Sequence, residues 1–131
     1  MPEDYAVVVA AGSFRSEESG PIHFAHRWTP DGVSVAAAFT GAHLLHLSVA
    51  GCVLNDLYRE AGPLGITLDG VRVTASGDFD PAWHSTGIGY LVELDSAAGP
   101  DELARLLATV DDVAEIPHAV RAGGPVQRRP D

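Results

Sequence analysis

Short alternating apolar runs flank one long, nearly unbroken apolar stretch, and this contrast predicts most of the architecture. Tyr5 to Ala11 is valine-rich and too short for a helix core, so it reads as a strand. Both of its alternating sets are apolar, which implies burial on both faces. Ser13 to Gly20 is polar and loop-like. Ile22, Phe24 and Trp28 then alternate with His23, Ala25 and Arg27, the period-two pattern of a half-buried strand. Thr29-Pro30-Asp31-Gly32 predicts a turn, with proline presetting one dihedral and glycine taking a positive φ. Val33, Val35, Ala37 and Phe39 form a third strand. Together these three strands predict a small antiparallel meander.

From Gly41 to Ala61 the chain is rich in Leu, Ala and Val, with Thr40 available as N-cap and Gly62-Pro63 as a stop signal. Leu44, Leu45, Leu47, Val49, Val53, Leu54 and Leu57 place apolar groups nearly all round this helix. Such a helix is buried in the middle of something, and in so small a chain a second subunit is expected to supply part of the cover. Val71, Val73 and Ala75, then Ile88, Tyr90, Val92 and Leu94, give two further alternating strands. Gly99-Pro100-Asp101-Glu102 opens a second helix, whose buried stripe is Leu103, Leu106, Leu107 and Val110. Pro117 is expected to break or kink the chain beyond that helix, and Gly123-Gly124-Pro125 leads into a tail. The predicted order is β-β-β-α-β-β-α, an α+β fold in one domain spanning 1–131.

Composition narrows the class. The chain has 131 residues, 46% of them apolar and 20% charged, which suits a globular domain with its own core rather than a disordered segment. A net charge of −10 opposes binding to nucleic acids and anionic membranes, since both rest on Lys and Arg. The acidic start, Met-Pro-Glu-Asp-Tyr, lacks the positive charge of a secretory signal. Cys52 is the single cysteine, so no intramolecular disulfide can form and a structural Cys-based metal site is excluded by count. These features point to the cytoplasm.

By residue type alone, Cys52 is either a small buried hydrophobe or a reactive thiol, and reactivity needs a neighbouring cation or a helix N-terminus. It falls in mid-helix, on a face shared with Leu45, Ser48, Asp56 and Arg59. Arg59 would favour a thiolate and Asp56 would oppose it. His43 and His46, one turn apart, can hold a metal with a third ligand such as His84 or His118, or exchange a proton. Both project well away from Cys52, so ordinary hydrogen-bonded histidines are expected, with no metal and no cofactor. Asp111, Asp112 and Glu115 read as a solvated helix end. Trp28 and Trp83 read as core or interface aromatics.

The run Gly41-Ala42-His43-Leu44-Leu45-His46-Leu47-Ser48-Val49-Ala50-Gly51-Cys52 resembles the central helix of the OsmC/Ohr-like family, which passes through small residues into Ala-Gly-Cys. The likeness continues through Gly65-Ile66-Thr67-Leu68-Asp69-Gly70-Val71-Arg72-Val73. Further on, Glu102 to Leu107 is similar to the family's second helix, and Gly124-Pro125-Val126 to its closing strand. The resemblance implies an intertwined α+β homodimer with a thiol near the interface. In the peroxide-reducing members that thiolate attacks the peroxide oxygen, aided by a glutamate at the helix start and an N-terminal arginine. A second cysteine before a proline then closes a disulfide.

Cys52 matches the attacking thiol, whereas the glutamate position falls on Ala42 and the second cysteine on Ile116, before Pro117. Arg15 and Arg27 are the N-terminal arginines available to serve Cys52. The expectation is at most a weak one-cysteine thiol peroxidase that needs an external thiol reductant. The alternative is a redirected family pocket, with Ala42, His43, His46, Ser48 and Ile116 as candidate lining. Such a pocket would bind an apolar small molecule or run non-redox chemistry with His43 or His46 as general base.

Overall fold

A computed structural model describes residues 4–18 and 22–130. The first three residues of the acidic start and the end of the loop at Gly20 lie outside the described residues. Among the described residues, five strands and three helices follow in the order β1 (Val7–Gly12), β2 (Ile22–Phe24), β3 (Val33–Ala36), α1 (Gly41–Ala61), β4 (Gly70–Phe79), β5 (Ser85–Asp95), α2 (Pro100–Val113) and α3 (Glu115–Ala122). All the strands pair antiparallel in one sheet of order β2-β3-β1-β4-β5. One face of the sheet carries Val7, Val9, Ala11, Val33, Val35, Val71, Val73 and Ala75. That face packs against Ala50, Val53, Leu54 and Leu57 of α1, with Leu106 and Val110 of α2 joining the core. The alternation read in the sequence is therefore what creates the apolar layer that α1 covers.

Three expectations need correction. The opening strands are no meander, because β1 pairs with β3 and β4 while β3 lies between β1 and β2. A buried β1 belongs in the sheet interior, and its central place satisfies both of its edges. Second, β2 stops at Phe24 and β3 at Ala36, which leaves Trp28 outside any strand and Phe39 89% exposed. Third, Pro117 neither breaks nor kinks a helix. It sits in the first turn of α3, where the missing N–H costs no intrahelical bond. Extended Ala114 separates α3 from α2, and left-handed Gly123 (φ 64°) ends it. Residues 124–126 form no strand.

Helix α1 begins and ends where its signals say, although the stop works differently. Thr40 Oγ1 accepts the His43 backbone N–H at 3.2 Å. Gly62 stays right-handed (φ −55°); the left-handed residue is Gly65, after which Ile66 N–H returns to the Ala61 carbonyl at 3.0 Å. Gly12 is a place where only glycine fits, since a Cβ there would lie 2.1 Å from the Asp69 carbonyl oxygen at φ +61°. No helix among the described residues is long and apolar enough to cross a membrane. In one chain α1 is not covered all round: Leu44 and Ser48 are exposed, while Leu45 and Leu47 are half-buried.

Candidate functional site

Cys52 lies half-buried on the side of α1 that meets the first turn of α3. Its Sγ donates to Asp56 Oδ2 at 3.7 Å, one helical turn onward. Asp56 is fully buried and is held by Asn55 Nδ2 at 3.1 Å and Arg59 Nη2 at 3.1 Å. Arg59 Nη1 reaches Glu115 at 3.8 Å. Burial pushes the Cys52 thiol above its ordinary pKa. The Ile116 backbone N–H pulls it down by donating to the sulfur, while the Asp56 and Glu115 charges add to the rise. Burial also raises the Asp56 carboxyl, against the opposing effects of Asn55 and Arg59.

This arrangement is chemically self-limiting. The guanidinium that could favour a thiolate is engaged by three carboxylates, those of Asp56, Glu60 and Glu115, so its charge is largely neutralised before it reaches the sulfur. The sulfur and one carboxylate oxygen each from Asp56 and Glu115 lie within 4.8 Å of one another, a set that a metal ion could also engage. A count of cysteines does not exclude such a mixed set, although Arg59 already serves as its cation.

Among the candidates read from the sequence, Ile116 is the one that the fold brings to Cys52, through its main chain. Ala42, His43 and His46 belong to the other end of α1, about 15 Å away along the helix axis for Ala42. There His43 Nδ1 meets Thr40 Oγ1 at 2.6 Å and His46 Nδ1 meets the Tyr5 carbonyl at 2.8 Å. Ser48 is exposed and returns its hydroxyl to the Leu45 carbonyl at 2.6 Å. Arg15 pairs with Glu17 in the loop after β1. That loop covers the sheet face away from α1, as Ser16 N–H donating to Ser34 Oγ at 3.0 Å marks. Arg27 is exposed, with its guanidinium 5.3 Å from the centre of the Trp28 ring. Within one chain, then, neither arginine serves the thiol.

Ala42 instead lines an apolar cavity of about 490 Å³ with Tyr5, Thr40, Leu45, Phe79 and Trp83. Tyr5 and Trp83 are the non-glycine residues with positive φ among those described (52° and 66°), so backbone strain converges at this cavity. Sequence reasoning missed Glu115 as a neighbour of Cys52, having read it as a solvated acid. Its position directly before Ile116, the residue matched to the family's second cysteine, was the available signal.

A family model described as OsmC-like protein matches residues 34–128. Among solved structures, an OsmC-like protein from Mycoplasma pneumoniae superposes with a TM-score of 0.60 at 14% identity, covering 92% of this chain and 89% of that one. An OsmC-like hydroperoxide resistance protein from Jannaschia sp. CCS1 gives a TM-score of 0.51 at 13% identity, covering 95% and 91%. No curated protein sequence matches the chain.

Proposed function

The chain belongs to the OsmC-like family, and from that premise we propose that it is at most a slow, one-cysteine hydroperoxide-reactive protein whose thiol rests in the protonated state. The observation that carries this reading is the hydrogen bond from Cys52 Sγ to the fully buried Asp56 carboxylate. A thiolate attacking a hydroperoxide takes the terminal oxygen as sulfenic acid and releases an alcohol. Two equivalents of an external thiol then return the cysteine to Cys–SH, giving a disulfide and water. With Ala42 and Ile116 at the positions where the family carries a glutamate and a second cysteine, no side chain there helps either half-reaction.

The test is alkyl-hydroperoxide treatment followed by trapping of sulfenic acid, with Cys52→Ser as control. Trapping that depends on Cys52 but is no faster than for an unactivated thiol is the expected result. Rapid trapping would mean that the thiol is activated despite its carboxylate neighbours, and the reading would fall.

A second reading, a redirected pocket for an apolar small molecule, is favoured by the aromatic-walled cavity beside Ala42. Quenching of Trp83 emission by a saturable apolar ligand tests it. We also propose a homodimer. Phe39 and Trp83, 89% and 77% exposed in one chain, lie beside the half-covered start of α1 and offer the apolar surface a second copy would bury. Light scattering at several protein concentrations decides this.

A further inference from the structure

On the other flank of α1, away from α3, a groove of about 300 Å³ runs between the helix and β3. Val9, Val33, Val35, Leu47 and Leu54 wall it, and His26 stands in its lining beside Asn55. Gly51 forms part of the floor. Glycine inside a helix costs about 1 kcal/mol relative to alanine, yet a Cβ added at Gly51 would meet nothing within 4 Å. No neighbour requires the glycine, and its missing side chain leaves the groove open.

The polar end of this groove is unsatisfied. His26 Nδ1 hydrogen-bonds Thr29 Oγ1 at 2.7 Å, and the single Thr29 hydroxyl proton goes to the Gly32 carbonyl at 3.4 Å. Nδ1 is therefore the donor, and Nε2 carries the acceptor lone pair. Nε2 is buried without a hydrogen-bond partner. The Asn55 carboxamide lies beside the ring with one of its two N–H groups on Asp56 at 3.1 Å, and it does not come within hydrogen-bond distance of Nε2. Burial holds the His26 pKa below its ordinary value, which keeps the ring neutral at neutral pH. Tyr58, one turn beyond Leu54 on the same face, packs edge-on against His26 with ring centres 5.5 Å apart. Its hydroxyl is also buried without a partner. A buried polar atom left unpaired costs about 1–3 kcal/mol, so the orphaned nitrogen at one end of an apolar groove calls for a group that satisfies it.

We propose that this groove binds a small apolar alcohol or phenol, its hydroxyl donating to His26 Nε2 and its hydrocarbon lying against Val33, Val35 and Leu54. A cationic ligand finds no acid among the groove's lining residues, and a carboxylate would face the Nε2 lone pair, so a neutral donor fits best. The site is separate from Cys52 and does not rest on its chemistry.

The experiment titrates 4-methylphenol, and separately 4-methylanisole, into ¹⁵N-histidine-labelled protein while the His26 imidazole resonances are followed. The phenol is expected to move the Nε2 signal saturably and to bind roughly tenfold more tightly than the ether, which has no proton to donate. In Gly51→Leu, whose side chain occupies the groove without a backbone clash, the saturable shift should vanish while the fold persists. In His26→Phe the phenol should lose its preference over the ether. Cys52→Ser should bind as the native chain does, which separates this result from the peroxide reading. Equal affinity for phenol and ether, or binding unaffected by Gly51→Leu, overturns the proposal. So does a His26 signal that follows protein concentration instead of phenol, because a second copy would then fill the groove.

Discussion

Cys52 and Asp56 stand one turn apart on α1 with sulfur and carboxylate oxygen 3.7 Å from each other, and the acid is the more deeply buried of the two. The carboxylate thus acts as an acceptor for the thiol proton, the reverse of what an attacking thiolate needs. Asp56→Asn removes both the negative charge and the strong acceptor. The variant is expected to be alkylated by iodoacetamide at pH 7 faster than the native chain, by roughly threefold or more, with the pH–rate profile displaced to lower pH. An unchanged profile would mean that burial alone sets the thiol's pKa.

The same carboxylate has a consequence for stability. Asp56 titrates above its ordinary value of 3.8 in the folded chain, chiefly because it is buried. The folded state then holds a proton that the unfolded state has already lost, so stability falls as pH rises through that window and stays lower above it. Asp56→Asn should be the more stable protein at pH 8. Its advantage should shrink as pH falls through the raised value and disappear below the ordinary one. Thermal unfolding of both proteins across this range checks the sign, and a variant less stable at pH 8 would show that the Arg59 pair outweighs burial.

How far the sequence carried can be traced to distance along the chain. Helix α1 was legible to its last residue because cap, apolar run and Gly-Pro stop are all local signals. The Cys52–Asp56–Arg59 face was legible for the same reason, from helical spacing alone. Strand partners were not, since nothing within β1 says that β3, rather than β2, will lie beside it. Pro117 misled because the same residue breaks a helix interior and is welcome in a first turn, and only the extended conformation of Ala114 decides between them. The His26 groove lay beyond pattern reading altogether. It arises where the segment after β2 approaches α1, and no periodicity encodes an orphaned nitrogen.

Leu57 sits at the centre of the layer between α1 and the sheet, fully buried. Leu57→Ala deletes most of a side chain where the surrounding valines are fixed in paired strands and cannot collapse inward. A loss of about 3 kcal/mol is expected in urea or thermal unfolding. A loss under about 1 kcal/mol would indicate a core that rearranges freely.

Gly77, late in β4, tests how tightly the sheet approaches the helix. A Cβ there would lie 2.3 Å from the Gly87 carbonyl oxygen on β5 and 3.1 Å from His46 Nε2 on α1. The first contact is with backbone in a paired strand, so it cannot be relieved by a side-chain rotation. Nor can the second give easily, because His46 is fully buried, stacked on Phe79 with ring planes 17° apart, and tied to the Tyr5 carbonyl. Gly77→Ala must therefore pry β4 from β5 or displace His46, at an expected cost of about 2 kcal/mol or more. Amide exchange distinguishes the two routes. Faster exchange at the β4–β5 pairs around Gly77 means that the strands part, whereas exchange confined to the segment holding Tyr5 means that the histidine moves. A variant as stable as the native chain would show that the strands sit farther apart there than the 2.3 Å approach requires.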